Sequence, residues 1–289
     1  MPHHDPTISD VLEVRSSFST LSSRLRLPPE LVDLVLDYAS YWPHTVTSTK
    51  KALKASGGHS NGGGQEGHAN KICLTTPPLG LPLPPSVDGD DLAESTSGSV
   101  QEWIPPRGEH PCRKIVFELS SHDQGFGGPV SDRGTYKSSW TWFDAVVAPP
   151  PSLKPIPQHL KTKSAESDIE SDIESDVCDE HDTDGEEQDA APKKDKHPFL
   201  PPSTRVQANA LGTQQTRHHI VTWSADDNGE VDGEAGDEAN ENGRGRETVD
   251  GKFVRDLKIG DTIQLWARAR FPAWSNSVEK ASVRVYWAI

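Results

Sequence analysis

The clearest pattern of hydrophobic and polar positions lies at the end of the chain, in two stretches with a period of two. Apolar side chains occupy alternate positions in residues 262–270, and residues 281–289 repeat the pattern after a bend at 271–276. Such alternation is typical of strands that bury one face. The positions expected to point inward are Ile263, Leu265, Ala267, Ala269, Val283, Val285 and Trp287.

Five further segments have strand-like composition. Residues 113–120 place Ile115, Phe117 and Leu119 on one face, and residues 134–143 are rich in aromatic side chains. Residues 204–211 and 219–224 add two more strands, and residues 71–75 a short one. This spacing predicts an all-β fold, a jelly-roll-like β-sandwich.

Two amphipathic helices are predicted near the N-terminus. In residues 10–25 apolar side chains recur at steps of three and four, and Asp10 with Glu13 is expected to cap the helix. The second helix follows Leu27-Pro28-Pro29 and ends before Pro43. Its apolar stripe is expected to be buried, either within a helix pair or on the β domain, or else to dock a partner. The candidate partner-binding residues are Leu27, Leu31, Leu34, Val35 and Tyr38.

These elements divide the chain into three parts. Residues 9–44 are expected to form a helical arm, and residues 45–102 are expected to be a linker rich in glycine and proline, with the short strand at 71–75. Residues 103–289 form the β-sandwich. Two insertions, 149–202 and 225–250, are expected to be disordered because their composition cannot bury enough apolar surface.

Charge is concentrated in those insertions. The net charge is −15, but residues 164–190 contain 13 Asp and Glu and no Lys or Arg. Residues 225–250 contain 10 acidic residues against Arg244 and Arg246, so the remainder of the chain is mildly basic. Ser167 and Ser171 lie in acidic contexts that suit an acidophilic kinase.

The three cysteines, Cys73, Cys112 and Cys178, are widely separated. This spacing argues against a zinc site and a disulfide framework and suits a reducing compartment. No signal peptide or membrane-spanning segment is expected, so the predicted location is the cytosol or the nucleus. No cofactor, metal or nucleic acid is expected to bind.

The segment Ser121-His122-Asp123 contains the residue types of a hydrolase triad. Consecutive residues of a strand alternate between faces, so these three cannot form a relay, and no G-x-S-x-G motif is present. We therefore predict no catalytic residue. His122, Asp123 and Gln124 are interpreted either as ligand-binding residues at a strand end or as a structural corner.

Aromatic and basic side chains suggest further ligand contacts. Arg268, Arg270 and Arg284 are expected to point outward, and they would form one arginine–aromatic patch if the two C-terminal strands pair. That patch would suit a carboxylate or phosphate, or the chain's own acidic insertions; the alternative is a solvated sheet face. Trp142, Trp274 and Asn276 complete the candidate ligand-binding set, either as a sugar platform or as core and rim residues.

Several blocks of the sequence resemble a group of uncharacterised fungal proteins. They are Ser121–Gly125, Gly134–Tyr136, Trp140–Phe143 and Ala267–Trp274, with Trp287 near the end. The resemblance covers about half of the chain and implies an N-terminal helix before a β domain. It implies no particular activity. The segment beginning Leu27-Pro-Pro-Glu-Leu31 is also similar to the opening of an F-box, which implies docking on a Skp1-type subunit of a ubiquitin ligase.

These observations favour a non-enzymatic binding module, with an F-box-like substrate-recognition adaptor as its specific form. A carbohydrate-binding β-sandwich is the alternative ligand class. An enzyme with an unrecognised site is a third hypothesis, and it would need titratable residues that converge in one pocket.

Overall fold

The structure, a computed structural model, describes residues 5–20, 27–58, 68–81, 104–148 and 204–289. Within these residues nine strands form two antiparallel sheets, so the prediction of a β-rich, sandwich-like fold is confirmed. The strands are β1 (His44–Ser48), β2 (Leu53–Ser56), β3 (Ala69–Thr75), β4 (Cys112–His122), β5 (Thr141–Ala148), β6 (Arg205–Ala208), β7 (Arg217–Ser224), β8 (Thr262–Ala269) and β9 (Ser275–Trp287).

The two sheets draw on strands from the whole length of the chain. Sheet A has the order β1-β9-β4-β7, and β2 pairs with the first part of the long strand β9. Sheet B has the order β3-β8-β5-β6. Ile263, Leu265, Ala267 and Ala269 of β8 are buried, as are Ile115, Phe117 and Leu119 of β4. The period-two pattern therefore predicted the inward faces of these strands correctly.

The two C-terminal strands do not pair with each other. β8 lies in sheet B between β3 and β5, whereas β9 lies in sheet A between β1 and β4. In the short connection between them, Phe271 and Ala273 adopt positive φ values of 69° and 71°. These left-handed residues turn the chain, which then continues in the opposite sheet instead of forming a hairpin.

The structure corrects the expected linker at 45–102. Its described part contributes three strands: β1 and β2 pair with β9, and β3 pairs with β8. Pairing with a long central strand supplies the hydrogen bonds and the apolar neighbours that these short segments lack on their own. The predicted strand at 134–143 begins only at Thr141, after a 3-10 turn at Val130–Asp132 and a series of tight turns.

Helix α1 (Ile8–Thr20) is capped by Thr7, three residues before the predicted cap Asp10. The Thr7 hydroxyl accepts the Asp10 backbone N–H at 3.2 Å, and the Asp10 carboxylate accepts the Thr7 backbone N–H at 2.8 Å. This reciprocal pair is a capping box, and it replaces the expected arrangement of Asp10 with Glu13. Val11 is buried in the main core, whereas residues 21–25 of the predicted helix lie outside the described residues.

Helix α2 (Pro29–Tyr38) buries the face opposite to the predicted one. Val32 and Leu36 are 2% and 4% exposed and belong to the main core. The stripe that was expected to be buried is exposed instead, at 47% for Leu31, 63% for Leu34, 42% for Val35 and 94% for Tyr38. The segment carries apolar residues on both faces, so periodicity could not decide which face meets the core.

The acidic insertion 225–250 is folded, contrary to the prediction of disorder. It contains α3 (Glu234–Glu241) and a 3-10 turn (Arg246–Thr248), and α4 (Lys252–Arg255) follows. The backbone N–H of Ala208 donates to Gly243 O, and that of Gly245 donates to Arg205 O, both at 2.7 Å. These bonds extend sheet B beyond β6 and offset the entropy of ordering a polar segment. The other predicted insertion, 149–202, lies outside the described residues.

Among the described helices, none has the length and apolar character needed to cross a membrane.

Candidate functional site

Asp123 lies at the end of β4 and is fully buried. Its carboxylate accepts the backbone N–H groups of Gly125, Gly212 and Thr213 at 2.7, 2.6 and 2.9 Å. Burial raises the pKa of Asp123, although these three bonds and nearby His122 act to lower it. The side chain ties two loops together, so its geometry is that of the structural corner.

Gln124 joins the same corner to the start of β9. Its side-chain oxygen accepts the Ser275 backbone N–H at 3.1 Å, and its amide nitrogen donates to Phe126 O at 2.5 Å. His122 is half-buried, and its Nδ1 lies 2.6 Å from Asp123 O. The loop after β4 and the bend at 271–276 therefore share one end of the sandwich.

A buried polar network lies below this corner and links the two sheets. The Ser121 hydroxyl on sheet A donates to Asn209 Oδ1 at 2.7 Å, and Asn209 Nδ2 donates to Asn276 Oδ1 at 3.0 Å and to Thr141 Oγ1 at 3.1 Å. Asn276 Nδ2 in turn donates to Trp142 O, on sheet B, at 2.9 Å. Asn276 is thus a buried cross-link. Sequence reasoning missed Asn209, which directly follows β6, and considered Ser121 only as part of a rejected catalytic triad.

Trp274 lies at the edge of this end and is half-buried. A Cβ at Gly127, which has a φ of 97°, would lie 3.4 Å from the Trp274 ring, so the loop passes close over the indole. The role of Trp274 as a sugar platform stays a prediction.

The outer face of sheet B gathers the other candidate residues. Strand register places Trp142 of β5 and Asn70 of β3 on either side of Arg268 of β8. One row further along the sheet, Asp144 and Ile72 flank Trp266. These side chains point away from the core because the alternate residues of β8 point into it.

Two arginines of this face stack on its indole rings. The Arg268 guanidinium lies 4.7 Å from the centre of the Trp266 ring, and that of Arg270 lies 4.9 Å from the centre of the Trp142 ring. Arg268 Nε donates to the Asp144 carboxylate at 2.7 Å, and Trp142 Nε1 donates to its other oxygen at 2.7 Å. The stacking and hydrogen bonds hold both guanidinium planes in defined orientations.

Two arginines, Arg268 and Arg270, and one carboxylate, Asp144, give this group of side chains a net positive charge. Asp144 is fully buried, and burial raises its pKa while Arg268 lowers it. The pKa of Arg270 is lowered first by burial and then by repulsion from Arg268. Arg284, expected in the same patch, lies on β9 in sheet A, where it donates to Glu118 at 2.6 Å. The single three-arginine patch was therefore wrong, because β8 and β9 lie in different sheets.

Helix α2 carries a second candidate surface, which we call the α2 stripe: Leu31, Leu34, Val35 and Tyr38. The opposite face of α2 is held against the body of the protein by the contacts of two acidic side chains. Asp33 lies 3.0 Å from Arg15 Nη2 and 3.2 Å from Arg107 Nη1, and Asp37 pairs with Arg107 and accepts Trp42 Nε1 at 2.8 Å. Leu27 is half-buried against the main core, so it does not belong to the exposed stripe.

Comparison of the chain with protein-family models, curated proteins and solved structures gave no match. The predicted phosphorylation sites, Ser167 and Ser171, lie outside the described residues.

Proposed function

We propose that this protein is a non-enzymatic binding module that docks a partner protein through the α2 stripe. The observation that supports this proposal is the orientation of α2. Its acidic residues Asp33 and Asp37 face the body of the protein, where arginines pair with them, while four large apolar side chains face solvent. An amphipathic helix without a partner ordinarily has the reverse orientation.

The spacing of the stripe specifies a mode of recognition. Leu31, Leu34, Val35 and Tyr38 follow the i, i+3, i+4, i+7 pattern of a helix that lies in an apolar groove. Burial of such side chains contributes about 1.5–3 kcal/mol each before the costs of association are subtracted. The partner is accordingly a protein with a groove that accepts three or four large apolar residues.

The resemblance of Leu27-Pro-Pro-Glu-Leu31 to the opening of an F-box nominates a Skp1-type subunit as this partner. In this chain β1 begins at His44, so the described helices of the arm are α1 and α2 alone. The adaptor form of the proposal therefore requires α2 to supply most of the contact.

A pull-down with purified Skp1 tests this form. Wild type is expected to be retained, and the double variant Leu31→Asp/Leu34→Asp is expected to be lost, because two charges would enter an apolar groove. The matched control is Val130→Asp/Ile220→Asp, which places two charges at exposed apolar positions away from the arm, 76% and 55% exposed. Failure of the wild type to associate, or equal retention of both variants, would refute the adaptor.

We further propose that the sandwich is of the jelly-roll type. The strand orders β1-β9-β4-β7 and β3-β8-β5-β6 support this, because from β2 onwards successive strands alternate between the sheets apart from β5 and β6, which are neighbours in sheet B. A cytosolic or nuclear location is part of the proposal, supported by the unpaired thiols of Cys73 and Cys112.

A further inference from the structure

Arg268 and Arg270 have hydrogen-bonding capacity that their neighbours do not use. Arg268 donates to Asp144 through Nε, and Arg270 donates to Asn70 and Ala269 O through Nη1. Among the described residues, the two terminal nitrogens of Arg268 and Nη2 of Arg270 make no hydrogen bond. Each guanidinium is therefore oriented on an indole ring while part of its donor set stays available to a ligand.

We infer that the outer face of sheet B, at Arg268, Arg270 and Trp266, binds an extended peptide with carboxylates at alternate positions. This site is separate from the α2 stripe. Its positive charge and the repulsion between its two arginines are both relieved when an anionic group binds between them.

The spacing of the arginines supports an extended ligand. Arg268 and Arg270 are two residues apart on extended backbone, and the Arg270 N–H still donates to Trp140 O at 3.0 Å. Side chains on one face of such a segment repeat about every 6.6–6.8 Å. A peptide in the same conformation presents acidic residues i and i+2 at the same interval, so each carboxylate can meet one guanidinium.

The composition of the face favours a peptide over a nucleic acid. Arg268 and Arg270 stand beside the buried carboxylate of Asp144 and the 45%-exposed side chain of Ile72. A protein that holds a nucleic-acid backbone can make about 6–10 phosphate contacts, whereas two arginines carry the positive charge argued for this face. A short acidic peptide with small apolar residues between its carboxylates fits the mixed surface better.

The chain itself contains a sequence of this chemistry. From residue 166 to residue 176 every second residue is acidic, in the series Glu166, Asp168, Glu170, Asp172, Glu174 and Asp176. A synthetic peptide of this sequence is a suitable probe. The binding experiment uses the full chain with these six residues changed to Gln or Asn, so that the protein's own copy does not compete.

Fluorescence anisotropy with the labelled peptide measures the affinity. The alternating peptide is expected to bind at least about tenfold more tightly than a peptide of equal composition whose acidic residues are contiguous. Arg270→Gln should weaken binding about tenfold, and Arg270→Lys should recover only part of it, because lysine lacks the planar fork. Lys280→Gln, which removes one exposed charge from sheet A, should leave the affinity unchanged.

Equal binding of the two peptides, or equal loss in Arg270→Gln and Lys280→Gln, would overturn the inference in favour of unspecific attraction. Tighter binding of a single-stranded oligonucleotide than of the alternating peptide would overturn it in favour of a nucleic-acid site. Leu31→Asp/Leu34→Asp, introduced into the same six-residue variant, should leave the affinity for the peptide unchanged. Failure of the α2 proposal is thereby distinguishable from failure of this one.

Discussion

His219 on β7 illustrates how one partly buried side chain makes stability depend on pH. Burial lowers the pKa of His219 to about 4, and Arg217, Arg244 and His218 add repulsion. The ring shares a hydrogen bond of 2.9 Å with the Tyr136 hydroxyl. In the unfolded chain the pKa is near the ordinary 6.5, so protons bind first to the unfolded state as the pH falls.

This histidine is expected to contribute full stability above pH 6.5 and to lose its contribution as the pH falls towards 4. The loss should be about 1–2 kcal/mol, since solvent screens a partly exposed ring. Urea unfolding at pH 7.5 and pH 5 measures it. His219→Gln should abolish this part of the pH dependence, whereas His218→Gln, at an exposed neighbour, should retain it. An unchanged pH dependence in His219→Gln would contradict the assignment.

Substitutions of Asp123 test whether its carboxylate has a structural role or a ligand-binding role. Asp123→Ala is expected to destabilise the fold by about 3 kcal/mol, because three part-buried backbone N–H groups lose a charged acceptor. Asp123→Asn keeps one acceptor oxygen and should cost less. Thermal unfolding measures both, with exposed Asp232→Ala as the control for a lost carboxylate. Unchanged stability in Asp123→Ala would contradict the structural role of the carboxylate.

The α2 helix provides a matched pair of leucines two positions apart. Leu36→Ala is expected to cost about 2–4 kcal/mol because it opens a cavity in the core, whereas Leu34→Ala should change stability by less than about 0.5 kcal/mol. Leu36 is 4% exposed and Leu34 is 63% exposed. Chemical denaturation of the two variants gives the comparison directly. A larger loss in Leu34→Ala would restore the originally predicted buried face.

The secondary-structure elements differed in whether their own sequence pattern predicted which face is buried. In β8 one face is apolar and the other polar, so alternation alone predicted the buried positions. In α2 both faces carry apolar residues, and the orientation depends on Arg107, which is 70 residues further along the chain than its partner Asp37. The candidate ligand-binding arginines also differed in how well the sequence predicted their positions. Periodicity correctly predicted that Arg268 points outward. It could not predict which sheet contains Arg284, because that depends on the turn made by the left-handed residues Phe271 and Ala273.

At the scale of the whole molecule, the folded insertion 225–250 shows that composition misleads when a polar segment finds backbone partners. Its acidic residues predicted disorder by charge repulsion. Gly243 instead adopts a φ of 78° against the Tyr136 ring, where a Cβ would lie 2.7 Å from a ring atom. The backbone of Gly243 and Gly245 pairs with β6, the edge strand of sheet B. The segment therefore covers an edge that would otherwise offer unpaired backbone groups.

Replacement of residues 226–249 by a short Gly-Ser linker tests this role. The ends of the insertion are close, since a Cβ at Gly251 would lie 2.6 Å from Ser224 O. The shortened chain is expected to self-associate through the uncovered β6, which light scattering after size-exclusion chromatography would detect. Asp237→Asn/Arg246→Gln removes a surface ion pair of the same insertion and should leave the association state unchanged. If the shortened chain keeps the association state and thermal stability of the wild type, the insertion does not protect this edge, and its order must follow from α3 itself.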